Sequence, residues 1–135
     1  MRHALTATAL ACIAAPGLAT ADDAGRAEYM VACAGCHGES ARGDGPLAAL
    51  LNIETPDLTM LAEGAGGKFP FGAVLMMIDG RNDIRAHGSA MPVWGDRYMA
   101  QSMIAEAPSE LPEEYQMVTR GRMLSLVYYL DSIQQ

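Results

Sequence analysis

Cys33-Ala34-Gly35-Cys36-His37 is the stretch on which the reading of this chain turns. Cysteines three positions apart lie on one side of a helical turn, so both thiols can meet one edge of a single planar group. The C-x-x-C-H pattern is the attachment signature of a c-type haem. The two sulfurs would take the vinyl groups, and His37, next in line, would sit beneath the iron as an axial ligand. Other uses of the pair fit less well. A dithiol redox pair needs a βαβ context, which the Ala- and Gly-rich flanks do not suggest. A zinc site needs four well-spread ligands, and His87 is a weak completion of such a set. A plain disulfide leaves His37 without a role.

The second informative stretch is His87-Gly88-Ser89-Ala90-Met91-Pro92-Val93-Trp94-Gly95. Pro92 disfavours helix at Met91 and holds it in an extended loop, from which a thioether can be offered to the iron opposite His37. With both axial positions filled, the metal suits electron transfer better than substrate binding, and His/Met ligation raises its potential. The chain has ten methionines, so Met91 has to be weighed against the others. Met60, Met76, Met77, Met117 and Met123 fall in expected helices, where core packing is the default. Met99 and Met103 lie near enough to compete. His87 is the other rival, and bis-His ligation would lower the potential. Trp94 is expected at the haem edge, with its indole N–H available to a propionate. For the non-ligating nitrogen of His37, a backbone carbonyl is the usual partner, and that of Pro46, in the turn-rich segment after the motif, is the candidate.

Upstream, residues 1–21 have the organisation of a cleaved secretory leader: Arg2, an apolar run over about residues 4–15, Pro16-Gly17, then the small-residue site Ala19-Thr20-Ala21. The run is too short to span a bilayer, Cys12 lies within it, and no stable membrane anchor is expected. Residues 22–135 then form one small domain, exported to the periplasm, a compartment in which covalent haem attachment takes place. The formal charge is −7, from 9 basic and 16 acidic residues. That sign excludes nucleic acid as a natural partner. It favours basic protein partners, besides keeping an exported protein soluble.

The fold class expected is all-α, since no alternating run is long enough for a sheet. Asp22 or Asp23 starts a first helix running into the haem motif. Gly25, Tyr29 and Cys33 share one of its faces. Short helices are expected over residues 47–51 and 57–61, the latter capped by Asp57 or Thr55. Another runs from Pro70 to Asp79 with Val74, Met77 and Ile78 inward and Gly80 as its stop. The strongest helix covers residues 120–135, where Leu126, Tyr129, Leu130 and Ile133 follow the 3.6 period. Residues 98–119, acidic, are expected as a solvated loop, with a partner-binding flap as the alternative.

Taken together, Gly25, Tyr29, Cys33, Cys36, His37, Gly45-Pro46, Met91-Pro92, Leu126 and Tyr129 resemble the pattern of a monohaem class I c-type cytochrome. The resemblance covers essentially all of residues 22–135. It implies a small bundle of three to five helices around one covalent haem c, with the first and last helices crossing at Gly25, Tyr29, Leu126 and Tyr129. It also implies that Pro46 supports His37, and that Met91 is the sixth ligand. The function it implies is single-electron transport between redox protein donors and acceptors, without enzymatic activity of its own. The alternatives are the haem subunit of a larger oxidoreductase and, from another class, a gas-binding or peroxidase-like haem protein. One departure is plain: Lys68 is the only lysine, so a docking ring of lysines is absent.

Overall fold

The computed structural model describes residues 21–81, 91–105 and 112–135. Within them the chain is all-helical, with no strand. Helix α1 (Ala21–Ala32) carries Asp22 and Asp23 in its first turn, where carboxylates complement the helix dipole. The chain then turns at Cys33 into the single turn α2 (Ala34–His37). The backbone ladder barely breaks there: Cys33 N–H donates to Tyr29 at 2.8 Å and His37 N–H to Cys33 at 2.9 Å. Two 3-10 turns follow, Ala48–Leu50 and Leu58–Met60, the second capped by the Asp57 carboxylate, which accepts from the Thr59 N–H at 2.8 Å. Beyond them are α3 (Leu61–Gly64), α4 (Phe71–Asp79), α5 (Trp94–Ala105) and α6 (Pro112–Ser132). The described residues thus hold six α-helices against the three to five implied by the resemblance, and α2 and α3 are only four residues each.

The frame is the crossing of α1 and α6. Gly25, Tyr29 and Cys33, at i, i+4 and i+8, are buried along one face of α1 and its continuation. At Gly25 the backbones meet so closely that a Cβ there would lie 2.0 Å from the Ser125 carbonyl oxygen. One turn on, the Tyr29 and Tyr129 rings pack at 5.4 Å between centroids. Met123, Leu126, Val127 and Leu130 of α6 fill the core with Val74 and Ile78 of α4 and Tyr98 of α5.

Two expectations are corrected. Residues 98–119 are mostly helix rather than loop: α5 takes those up to Ala105, and α6 starts at Pro112. Tyr98, Ser102, Tyr115 and Thr119 turn inward, and Ser102 Oγ lies 3.5 Å from Thr119 Oγ1 across the helix pair. These pairs stand at i, i+4 in each helix, while Glu113 and Glu114 lie on an exposed side. Nor do the methionines all fill the core. Met123 is buried and Met77 half-buried, but Met60, Met76 and Met117 are exposed. An unbranched thioether in a helix marks the core only when its neighbours at i±3 and i±4 also face inward.

A polar tie joins three helices. Arg122 of α6 gives paired hydrogen bonds to the Glu28 carboxylate of α1, at 2.6 and 2.9 Å, and a third to Gln101 of α5 at 2.9 Å. Its guanidinium also lies over the Tyr98 ring, 4.2 Å from the centroid. A second tie is made by Gln134 near the C-terminus. Its amide accepts from the Ala62 N–H at 2.9 Å and donates to the Leu58 carbonyl at 2.8 Å, so the end of α6 holds the 58–62 turn. We expect Gln134→Ala to destabilise the protein by about 2 kcal/mol, as two part-buried backbone groups lose their partners. A shift in urea midpoint without a change in slope would show it; an unchanged midpoint would mean that water replaces the amide freely.

Among the described residues no helix is long and apolar enough to cross a membrane. His87 and residues 1–20 lie outside the described residues.

Candidate functional site

A largely apolar cleft, open on one side, gathers the two sequence motifs. Cys33, Cys36 and His37 line it from the α1–α2 corner, and Met91, Pro92 and Trp94 from the segment leading into α5. A third wall is formed by Leu51, Ile53, Glu54, Thr55 and Pro56, none of which sequence reading had assigned to the site.

The motif is held from behind. Tyr29, its hydroxyl raised above the ordinary range chiefly by burial, stays protonated and donates to the Gly38 carbonyl at 2.6 Å. The loop after His37 folds back onto the motif's own carbonyls: Gly43 N–H donates to His37 at 2.8 Å, Gly45 N–H to Cys36 at 3.1 Å and Leu47 N–H to Gly35 at 2.9 Å. Any side chain at Gly45 would collide with this backbone, since a Cβ would stand 2.5 Å from the Cys36 carbonyl carbon and oxygen. Ala41, buried and at φ +62°, accepts from the Leu58 N–H at 2.7 Å and so joins the loop to the third wall. A left-handed alanine costs about 1 kcal/mol, which the bond and the burial offset.

His37 is buried, and its Nδ1 donates to the carbonyl of Pro56 at 3.3 Å. Pro46, the carbonyl expected there, is instead exposed and lines a separate surface depression with Met30 and Gly38. Choosing between the two prolines requires the path of residues 47–56, which returns to the cleft through a turn that no local motif announces. With Nδ1 turned to the Pro56 carbonyl, Nε2 is the ring nitrogen that would serve a bound metal.

Both cysteines are free, Cys33 buried and Cys36 half-buried. The Cys33 thiol is pushed up to about 12, first by burial and then by Cys36 and Glu28. It is therefore protonated at neutral pH, which disfavours thiol–disulfide exchange through a thiolate. Trp94 packs on Tyr98 with centroids 5.7 Å apart, while Arg97 lies 5.2 Å from its own ring centre, so the indole is a fixed wall. The Tyr98 hydroxyl lies buried near Glu28, and that burial is the main cause of its raised pKa. Arg81 is paired with Asp79 beside the start of α5.

These residues suit a haem. Thiols one helical turn apart and an oriented imidazole open onto one apolar cleft, and a thioether reaches it from a distant segment. Thr55 adds a second kind of fit: its hydroxyl is buried in the cleft wall without a partner, where a polar atom of a bound group would satisfy it. Among the described residues, no three His, Cys, Asp or Glu side chains converge as a metal site of their own. No protein-family profile, curated protein or solved structure matches the chain.

Proposed function

We propose that the protein is an exported, periplasmic single-electron carrier holding one covalent haem c, of the class I cytochrome type. The observation that carries this reading is that Cys33, Cys36 and His37 share one cleft with Met91 and Trp94, although more than 50 residues separate the two groups in sequence. Haem, when bound, supplies a reversible Fe(III)/Fe(II) couple. Cys33 and Cys36 would hold it by adding their S–H bonds across its vinyl groups. His37 Nε2 and Met91 Sδ would ligate its iron, with the Pro56 carbonyl setting the imidazole's tautomer. Leu51, Ile53, Pro92 and Trp94 would give the group apolar walls, and Thr55 would offer it one hydrogen bond. Nothing in this cleft needs to turn over a substrate. Electrons pass to redox protein partners, and the acidic surface favours basic ones.

Optical spectra of the purified protein, oxidised and reduced, with and without carbon monoxide, test the ligand set. A low-spin c-type spectrum that ignores carbon monoxide, with a far-red ferric band of sulfur ligation, is expected. Rapid carbon monoxide binding by the wild-type protein would favour a gas-binding or peroxidase-like role instead. For Met91→Ala the expected result is attached haem with an open sixth position that now binds carbon monoxide. If ligand binding is unchanged by the substitution, Met91 is not the ligand, and His87 becomes the residue to replace next.

A further inference from the structure

Residues 51–57, which bring Thr55 and Pro56 to the cleft, belong to no helix. No backbone ladder of their own aims them, so the Pro56 carbonyl meets His37 Nδ1 only as well as this segment is held from outside. Pro56 has no N–H through which a backbone bond could fix it, and it restricts Thr55 to extended backbone. The two residues therefore move as one stiff link, and what that link leans on is Gly43.

Gly43 meets both ends of the His37 arrangement. Its N–H donates to the His37 carbonyl at 2.8 Å. A Cβ on it would stand 2.2 Å from the Thr55 carbonyl oxygen, 3.1 Å from the Thr55 carbonyl carbon and 3.3 Å from the Pro56 oxygen. A circuit closes in this way: the His37 main chain to Gly43, Gly43 to the Thr55–Pro56 link, and the link back to the His37 ring. Two residues further out on each segment, the Leu58 N–H donates to the Ala41 carbonyl at 2.7 Å and draws loop and wall together. Gly43 also takes φ +80°, open to glycine at little cost. The position thus calls for glycine twice, and the second reason, the close approach, bears on the imidazole.

We propose that Gly43 is a positioning residue for His37: its missing side chain lets the Thr55–Pro56 link lie close enough for the Pro56 carbonyl to hold the imidazole. This role rests on the reading of His37 as a metal ligand, where a bond from Nδ1 to a carbonyl would raise the basicity of Nε2 towards the metal. A methyl carbon at position 43 would stand about 1 Å inside ordinary contact with the Thr55 carbonyl, and the obstacle is backbone rather than a side chain that can swing aside. Because Gly43 is tied to the His37 main chain, the link yields outward, away from the ring. A bond already at 3.3 Å is lost on further lengthening.

NMR of the His37 ring proton in the purified, matured and fully reduced protein, with its histidines labelled with nitrogen-15, is the test. In the wild type the Nδ1–H should exchange slowly with solvent and respond to denaturant in parallel with the Gly43 and Leu58 N–H groups, as one unit that opens together. This arm needs no variant to fold. Gly43→Ala should move the Nδ1–H signal to lower frequency and speed its exchange by about tenfold or more. Gly43→Asn, whose residue type tolerates positive φ better, should be the more stable of the two yet move the signal as far, since its Cβ meets the same carbonyl. Gly66→Ala is the control: Gly66 has φ +79° with nothing within 4 Å of an added Cβ, and the substitution should leave the signal in place. A signal unmoved in both Gly43 variants, or a wild-type ring proton that opens independently of Gly43 and Leu58, overturns the proposal. Failure of the haem reading shows separately, as a wild-type chain without haem, and the same ring-proton comparison then decides the place of Gly43 by itself.

Discussion

Cys36→Ala, matured in a host competent for c-type haem attachment, is expected to yield about an order of magnitude less haem-loaded protein than wild type, and Cys33→Ala likewise, since loss of the bound group is also loss of folding free energy. Both thiols line the cleft from one turn, so on this proposal each single variant would keep one anchor and lose the other. The consequence extends to stability. A domain this small buries a modest core, and a cleft walled by Leu51, Ile53, Pro56 and Trp94 gains from an apolar group at its centre. Lower accumulation and easier proteolysis should therefore accompany lower haem content. Ser40→Ala, an exposed change in the loop beyond the motif, is the control and should load normally. Equal haem content in Cys33→Ala, Cys36→Ala and the control would show that neither thiol anchors the group.

Gly25→Ala is expected to destabilise the haem-loaded protein by about 3 kcal/mol, at the upper end of the usual cost of overpacking, with more where the backbones cannot part. The added methyl carbon would stand 2.0 Å from the Ser125 carbonyl oxygen and 2.7 Å from the Tyr129 Cβ. Neither obstacle is the far end of a flexible side chain, so α1 and α6 must separate. Separation would also strain the bidentate Arg122–Glu28 bond and the Tyr29–Tyr129 contact next to it. Because Tyr29 leads directly into the motif, the haem environment should loosen as well. Denaturant unfolding followed through both helical signal and haem absorbance would measure the loss. A change within about 0.5 kcal/mol, typical of harmless surface substitutions, would mean that the close crossing is absent in solution.

Both predictions use features that were legible in the sequence, and the reasons are physical. Gly25, Tyr29 and Cys33 fall on one helical face by spacing alone, and Cys33 with Cys36 and His37 carries its chemistry within a single turn. The α4 stop at Gly80 was legible for a similar reason: Gly80 takes φ +64°, a conformation that glycine adopts at little cost. What escaped were relations that depend on chain path. Pro56, rather than Pro46, meets His37 because residues 47–56 return to the cleft, and neither proline's flanks reveal that return. Thr55, a helix-cap candidate by sequence, instead lines the cleft, with its hydroxyl buried and without a partner. Arg122 and Glu28 are 94 residues apart, and no local pattern pairs them. The helical content of residues 98–119 is present in the spacing of Tyr98 with Ser102 and Tyr115 with Thr119, two pairs too short and too far apart to outweigh the acidic composition of the segment.

The intact mass of the purified mature protein under denaturing conditions tests the central claim most directly, because only a covalently held group survives unfolding. A mass equal to residues 22–135 plus one haem, shifting to the bare chain in the Cys33→Ala, Cys36→Ala double variant, is the result predicted. A bare chain from a host that matures other c-type proteins in the same preparation would contradict it.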